Sequence, residues 1–143
     1  RVMVVFNELY VPYVNAWSNQ LTEPDFYNVV MDWHLYDWQE PFTSESPEQH
    51  VRDAQNFAPL IDTFQSQHPI IVAEWSMSTG LEVKTGQSFV DACVRSFQHG
   101  FGYYLWTWKV ERGWNYDDWD LKLQSDESGG LRLHADKGSF WAG

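Results

Sequence analysis

The sequence predicts an α/β fold whose strands run parallel. Four short apolar runs occur along the chain, and three of them are rich in Val and Ile without strict inside–outside alternation, which is typical of parallel strands covered on both faces. Helix signals separate these runs, so the order of elements is that of consecutive βαβ units. A chain of 143 residues is long enough for one domain with its own core.

Each of the four predicted strands ends in polar or aromatic residues. The clearest case is the run from Ile70, where four apolar residues lead directly into the carboxylate of Glu74. In chain order the predicted strands are Val2–Phe6, Asn28–Trp33, Ile70–Trp75 and Gly102–Trp108.

The first clear helix begins at a capping box. Ser46 is followed by proline at the first helical position and by Gln49 three residues later, a pattern typical of a helix N-terminus. Apolar residues then recur at helical spacing as far as Ile61. Pro59 lies inside this segment and is predicted to kink or break the helix.

Two further helices are predicted. One runs from Gly86 to His99 with Phe89, Cys93 and Phe97 on one stripe, and a shorter one covers Pro12 to about Leu21. After Trp108 the periodic pattern stops, and the sequence becomes acidic and rich in turn residues.

Composition excludes several classes of function. The formal net charge is −11, so phosphate backbones and anionic membrane surfaces are unfavourable partners. Cys93 is the single cysteine, which excludes an internal disulfide, and the five His residues lack metal-site spacing.

The 9 Trp residues indicate either an aromatic core or a surface that stacks on sugars. The chain begins with Arg and not with Met, so we expect a processed or truncated piece, and no secretory signal precedes Arg1.

The strand ends are where the fold predicts a ligand site. Parallel α/β folds bind ligands at the carboxyl ends of their strands, which explains a buried strand that ends on a charge. The strand-end residues are Asn7, Glu8 and Tyr10, then Asp32, His34 and Tyr36, then Glu74 and Ser76, then Trp106, Trp108 and Lys109.

Three motifs in order resemble glycoside hydrolase family five, and most closely its fungal-type exo-β-1,3-glucanases. The motifs are "DWHLYDW", "VAEWS" and "YYLWTWKVE", and the similar region extends from Val2 to about Leu131. The resemblance implies the C-terminal half, strands five to eight, of a TIM (β/α)₈ barrel over residues 1–131, with an irregular tail at 132–143. It also implies a retaining hydrolase of β-glucan, no cofactor, and an extracellular or cell-wall location.

The same resemblance implies roles for individual residues. Glu74 matches the catalytic nucleophile. His34 and Tyr36 match the pair of residues that lines the sugar site and orients the nucleophile. Trp106 matches the tryptophan beneath the sugar, and Asn7 is a further candidate for substrate binding. A Tyr hydroxyl donated to the nucleophile would keep that carboxylate ionised and aimed. Trp38 and Phe42 either clamp a neighbouring sugar or cover the top of the barrel.

The sequence departs from the family pattern at two places. Ala73 stands where the family usually has Gly, which is a small change. The segment after Glu74 is shorter than in the fungal enzymes, so a subsite wall built from it would be absent, which leaves exo or endo action open.

The second carboxylate of a retaining hydrolase is harder to place. Asn7-Glu8 resembles the start of the family's Asn-Glu-Pro motif, but Leu9 replaces the proline. The interval to Glu74 is 74 − 8 = 66 residues, which fits two βα units of roughly 30 residues each better than three. We therefore expect the acid/base upstream of this chain. Glu8 in a compact, complete hydrolase and a non-catalytic glucan-binding fragment remain the alternatives.

A half-barrel also predicts a partner. The first and last strands would be open, apolar edges, which natural proteins normally pair or shield. We expect an N-terminal half-barrel chain or self-association to cover them, with β-glucan or an oligosaccharide as the ligand.

Overall fold

The computed structural model describes residues 3–8, 17, 19–37, 42–79, 86–110 and 119–126. Within these ranges the chain forms four strands, three α-helices and a short 3₁₀ turn at Phe42–Ser44. The elements are β1 (Val4–Glu8), β2 (Val29–Leu35), α1 (Pro47–Phe64), β3 (Ile70–Trp75), α2 (Gly86–Phe97), β4 (Gly102–Leu105) and α3 (Leu121–Asp126).

The four strands form one parallel sheet in the order β1-β2-β3-β4. The predicted α/β class with a parallel sheet is therefore confirmed. Each strand lies beside the one that precedes it in the chain, so the described sheet lacks the reversal of strand order that marks a doubly wound fold. All four carboxyl ends lie at the same edge of the sheet, which is where the candidate site is built.

The core lies between one face of the sheet and the helices α1 and α2. Strand β2 alternates, with Met31, Trp33 and Leu35 buried, while Asp32 and His34 on the other face are partly exposed. Aromatic contacts join the layers, since Trp33 packs on Phe64 of α1 and Trp75 packs on Phe97 of α2. The other core members from the helices are Ala54, Ile61, Phe89, Val90, Ala92, Cys93 and Val94.

Helix α1 begins as predicted but does not end as predicted. The Ser46 hydroxyl accepts a hydrogen bond from the backbone N–H of Gln49 at 3.2 Å, so the N-cap is confirmed. The helix then continues through Pro59 to Phe64, and the expectation of a break there is wrong. Pro59 lies on the exposed face, and Ala54 and Ile61 are buried on either side of it. Packing of that apolar face outweighs the local cost of the proline, about 3 kcal/mol.

Several element boundaries also differ from the sequence-based ones. Strand β1 begins and ends two residues later, β2 extends to Leu35, and β4 stops at Leu105 rather than at Trp108. Most of the expected helix from Pro12 falls outside the described residues, and its described end at 19–21 is a turn and bend. The expected domain boundary at 131 and the tail at 132–143 also lie outside them.

Candidate active site

Glu74 faces the site because β3 contains a β-bulge immediately before it. Trp33 of β2 pairs with Val72, but the next residue, His34, pairs with Glu74, so Ala73 is an extra residue in β3. Side chains in a regular strand alternate between faces, so Glu74 would otherwise follow Val72 toward the helices. The burial pattern shows the switch, since Val72 and Trp75 are buried while Glu74 is partly exposed.

The Glu74 carboxylate is held by two side chains from the neighbouring strand end. The Tyr36 hydroxyl donates a hydrogen bond to Oε2 of Glu74 at 2.7 Å. Nδ1 of His34 lies 3.3 Å from the same oxygen. The sequence named these three residues, and the structure brings them together.

The pKa of Tyr36 is raised well above its usual range. Burial of the phenol is the largest cause, followed by the hydrogen bond to Glu74 and the negative charge of Glu74. The phenol therefore keeps its proton throughout the pH range in which enzymes ordinarily work. Tyr36 is a donor to the carboxylate at all of those pH values.

Replacing Tyr36 with Phe should lower kcat for the hydrolysis proposed below by about 10- to 100-fold, with KM within about threefold. The variant removes one hydrogen bond to a charged group, which contributes about 1.5–3 kcal/mol, and leaves the ring in place. Steady-state kinetics would check this, with Tyr27→Phe as the control because Tyr27 is exposed and precedes β2. An unchanged kcat in Tyr36→Phe would contradict a role in holding Glu74.

Asp32 extends the cluster toward β1. Its Oδ2 accepts a hydrogen bond from Nδ2 of Asn7 at 3.1 Å and lies 3.3 Å from Nε2 of His34. Its Oδ1 accepts from the backbone N–H of Ala73 at 3.3 Å. Asn7, expected to bind substrate, is thus bonded to Asp32 in this structure. The sequence placed Asp32 at a strand end, but nothing in the pattern indicated that it joins β1, β2 and β3.

Trp106 and Trp108 lie beyond the end of β4. The expectation that both belong to one strand is wrong, because the backbone after Trp106 bonds to the C-terminal segment: Thr107 to Trp119 at 3.2 Å and Lys122 to Trp108 at 2.9 Å. A cis peptide bond joins Trp106 to Thr107. The two Trp residues are 54% and 60% exposed, so neither is a core residue of the described chain.

Trp119 is a member of the site that the sequence did not indicate. Its ring packs on the ring of Tyr36 with centroids 5.4 Å apart. The following residue, Asp120, holds this segment by accepting bonds from the backbone N–H groups of Val110 and Leu123 at 3.0 and 2.9 Å. Burial alone would raise the pKa of Asp120, but those N–H groups and the charge of Lys109 lower it overall. The one available signal was an Asp directly before a short helical segment, as at an N-cap.

Two expected site residues cannot be placed. Trp38 lies outside the described residues, and only the backbone of Glu8 is described, paired with Trp33 at the end of β1. β1 and β3 flank β2, so the strand that carries Glu8 lies two strand positions from the strand that carries Glu74. Phe42, the other expected cover residue, begins the 3₁₀ turn and is half-buried.

Within the described ranges, no three His, Cys, Asp or Glu side chains come together as metal ligands. Nor does any helix among those residues have the length and apolar character needed to cross a membrane.

Among solved structures, the fold is similar to that of rutinosidase from Aspergillus niger. The TM-score is 0.65, the sequence identity is 19%, and the similarity covers 92% of this chain and 37% of the rutinosidase chain. No protein-family model matches the sequence, and neither does any curated protein. The likeness establishes a shared α/β fold, and this chain spans just over a third of the length of the rutinosidase chain.

Proposed function

We propose that this chain carries the nucleophile of a retaining glycoside hydrolase, and that its substrate is β-glucan with β-1,3-glucosidic bonds. The observation that supports this proposal most strongly is the arrangement of side chains around Glu74. A strand-end carboxylate accepts the Tyr36 hydroxyl at 2.7 Å and lies beside His34 at the carboxyl edge of a parallel sheet. That edge is where the active sites of barrel enzymes lie. The fold shared with a rutinosidase and the family-five motifs support the same reaction class.

The proposed reaction is double displacement. An oxygen of Glu74 attacks the anomeric carbon, the glycosidic C–O bond breaks, and a carboxylic acid protonates the departing oxygen. The resulting conjugate base then takes a proton from water, and the water oxygen displaces Glu74. Both described contacts of Glu74 involve Oε2. We therefore assign the attack to Oε1, with Oε2 keeping the carboxylate oriented.

We place the acid/base outside the described residues, on a barrel strand that precedes β1. The position of β1 two strand positions before β3 supports this choice, because the family's acid/base lies three strands before its nucleophile. The four described strands would then be strands five to eight of a (β/α)₈ barrel.

Trp106 supplies the sugar platform in this proposal. Trp106→Ala should weaken binding of a gluco-oligosaccharide by about tenfold or more, which corresponds to about 1.4 kcal/mol. Because the side chain is 54% exposed, the melting temperature should change little. Calorimetric titration and a thermal melt would check both quantities. Unchanged binding together with a loss of several kcal/mol of stability, as in core aromatic truncations, would show a structural role instead.

Exposed apolar side chains on the two outer strands of the described sheet support a partner. On the first strand, Val4 and Val5 are both about half exposed although they point to opposite faces, and Tyr104 of β4 is 54% exposed. Each apolar side chain left in water forfeits roughly 1.5–3 kcal/mol. We propose that an N-terminal half-barrel chain covers these edges or, in its absence, a second copy of this chain.

Sedimentation and an aryl β-glucoside assay on the 143 residues test the proposal together. We expect self-association and negligible hydrolysis alone, because the general acid is absent. With the N-terminal half-barrel added, hydrolysis should appear with retention at the anomeric carbon. A monomer that turns over substrate would restore Glu8 as the acid/base. Sugar binding without hydrolysis in the complete assembly would instead indicate a glucan-binding protein.

A further inference from the structure

We propose that Asp32 is a positioning residue that directs Glu74 into the site. It does so by two routes, through the bulge at Ala73 and through the ring of His34. The catalytic consequence rests on the function proposed above, whereas the effect on the bulge does not.

The first route is the backbone of β3. Ala73 is the residue of β3 that has no partner in the register with β2, because Trp33 pairs with Val72 and His34 with Glu74. A backbone donor without a partner costs about 1–3 kcal/mol when shielded from water. Oδ1 of Asp32 accepts a hydrogen bond from the backbone N–H of Ala73 at 3.3 Å. The side chain thus stabilises the irregular register that turns Glu74 away from the helices.

The second route is the imidazole of His34. Its two ring nitrogens contact two different carboxylates, Nε2 toward Asp32 and Nδ1 toward Glu74, each at 3.3 Å. A ring held at one nitrogen has its other nitrogen fixed in direction, as carboxylates do for histidines in other sites. Asp32 therefore determines which ring edge faces the nucleophile.

Asp32 is itself held in place by its surroundings. Nδ2 of Asn7 donates to Oδ2 at 3.1 Å, and the side chain is only 14% exposed. Its carboxylate consequently has one oxygen on the bulge and the other shared between Asn7 and His34. A residue that served only to join strands would not need the contact with His34, and this difference can be tested.

Amide hydrogen exchange measured by NMR tests the first route without any assay of activity. In Asp32→Ala the amide of Ala73 should exchange about tenfold faster or more, while the amides of Ile71 and Val72 stay within about threefold. In Asp32→Asn it should remain protected, because the side-chain carbonyl oxygen still accepts. Unchanged exchange of Ala73 in Asp32→Ala would overturn the proposal. If Asp32→Ala does not fold, equal exchange of Ala73 in Asp32→Asn and in the wild type supports it, and faster exchange in Asp32→Asn overturns it.

Kinetics on the active assembly that contains this chain test the second route. Asp32→Asn should lower kcat about 10- to 100-fold with little change in KM, because a carboxylate no longer faces Nε2 of His34. The matched control is Asp62→Asn, since Asp62 contacts His99 at 2.9 Å on the exposed surface. The control should leave kcat unchanged.

The exchange variant Asn7→Asp/Asp32→Asn separates positioning from simple joining of strands. Asp32→Asn alone leaves two amides facing each other, whereas the exchange variant restores a carboxylate–amide pair between β1 and β2, so its melting temperature should be closer to the wild-type value than that of Asp32→Asn. The carboxylate now lies on β1, however, so kcat should stay low. Recovery of kcat together with stability would show that Asp32 only joins strands, and would overturn the proposal. Absence of hydrolysis in the wild-type assembly would refute the proposed function instead, and amide exchange alone would then decide the role of Asp32.

Discussion

Replacing Glu74 with Gln is expected to lower kcat by about 10⁴-fold or more, because an amide cannot form the glycosyl ester on which the proposed mechanism depends. The change is nearly isosteric, and Glu74 is partly exposed, so the fold should be retained. The Tyr36 hydroxyl can still donate to the amide oxygen, which keeps the local geometry. The loss therefore belongs to the chemical step.

The measurement is steady-state hydrolysis of an aryl β-glucoside by the active assembly, alongside a thermal melt. Glu48→Gln is the matched control, because Glu48 is an exposed residue in the first turn of α1. It should leave kcat unchanged. Activity in Glu74→Gln within about tenfold of the wild type would exclude Glu74 as the nucleophile.

Removing His50 should cause the largest loss of stability, about 3–5 kcal/mol in the free energy of unfolding. His50 of α1 is fully buried and its Nδ1 lies 3.3 Å from Oδ2 of Asp37, which is also buried. Burial raises the pKa of Asp37, and the bond and charge of His50 act in the opposite direction. His50→Ala leaves that carboxylate without its partner and removes the ring that packs edge-on against Phe89.

The pH dependence of this variant follows from the direction of that shift. A carboxyl whose folded pKa is raised binds more protons in the folded state than in the unfolded state. Stability therefore falls as pH rises from the unfolded value near 3.9 through the folded one. Without His50 the folded pKa of Asp37 should rise further, so His50→Ala should lose stability between about pH 4 and neutrality.

Chemical denaturation at several pH values would measure both effects. The control is His99→Ala, because His99 contacts Asp62 at 2.9 Å but the two side chains are 45% and 54% exposed. An exposed pair contributes less than about 1 kcal/mol. Equal losses of unfolding free energy in the two variants would show that the contribution of the Asp37–His50 pair to stability does not depend on its burial.

The sequence predicted the parts of the fold that depend on local pattern. Three such predictions are confirmed: the strand β3 at Ile70–Trp75, the N-cap at Ser46, and the buried stripe of Phe89, Cys93 and Phe97. These features follow from apolar periodicity and from capping chemistry, which act over a few residues. Burial of Cys93 raises the pKa of its thiol, with Asp37 as a smaller cause, in keeping with a core side chain.

What could not be predicted depends on contacts between distant segments. The bulge at Ala73 is a property of the register between β2 and β3. A small residue before a Glu does not predict it. The packing of Trp119 on Tyr36 joins segments that are far apart in the chain. Helix α1 continues past Pro59 because residues before and after the proline are buried against the sheet side of the helix. Local helix propensity does not include this packing.

The central claim is that Glu74 is the nucleophile, and covalent trapping tests it most directly. A 2-fluoro glucosyl inactivator would be incubated with the active assembly, followed by digestion and peptide mass mapping. We predict one glucosyl adduct per active site, located on Glu74 within the β3 peptide. An adduct on Glu8 or on any other carboxylate would contradict the claim.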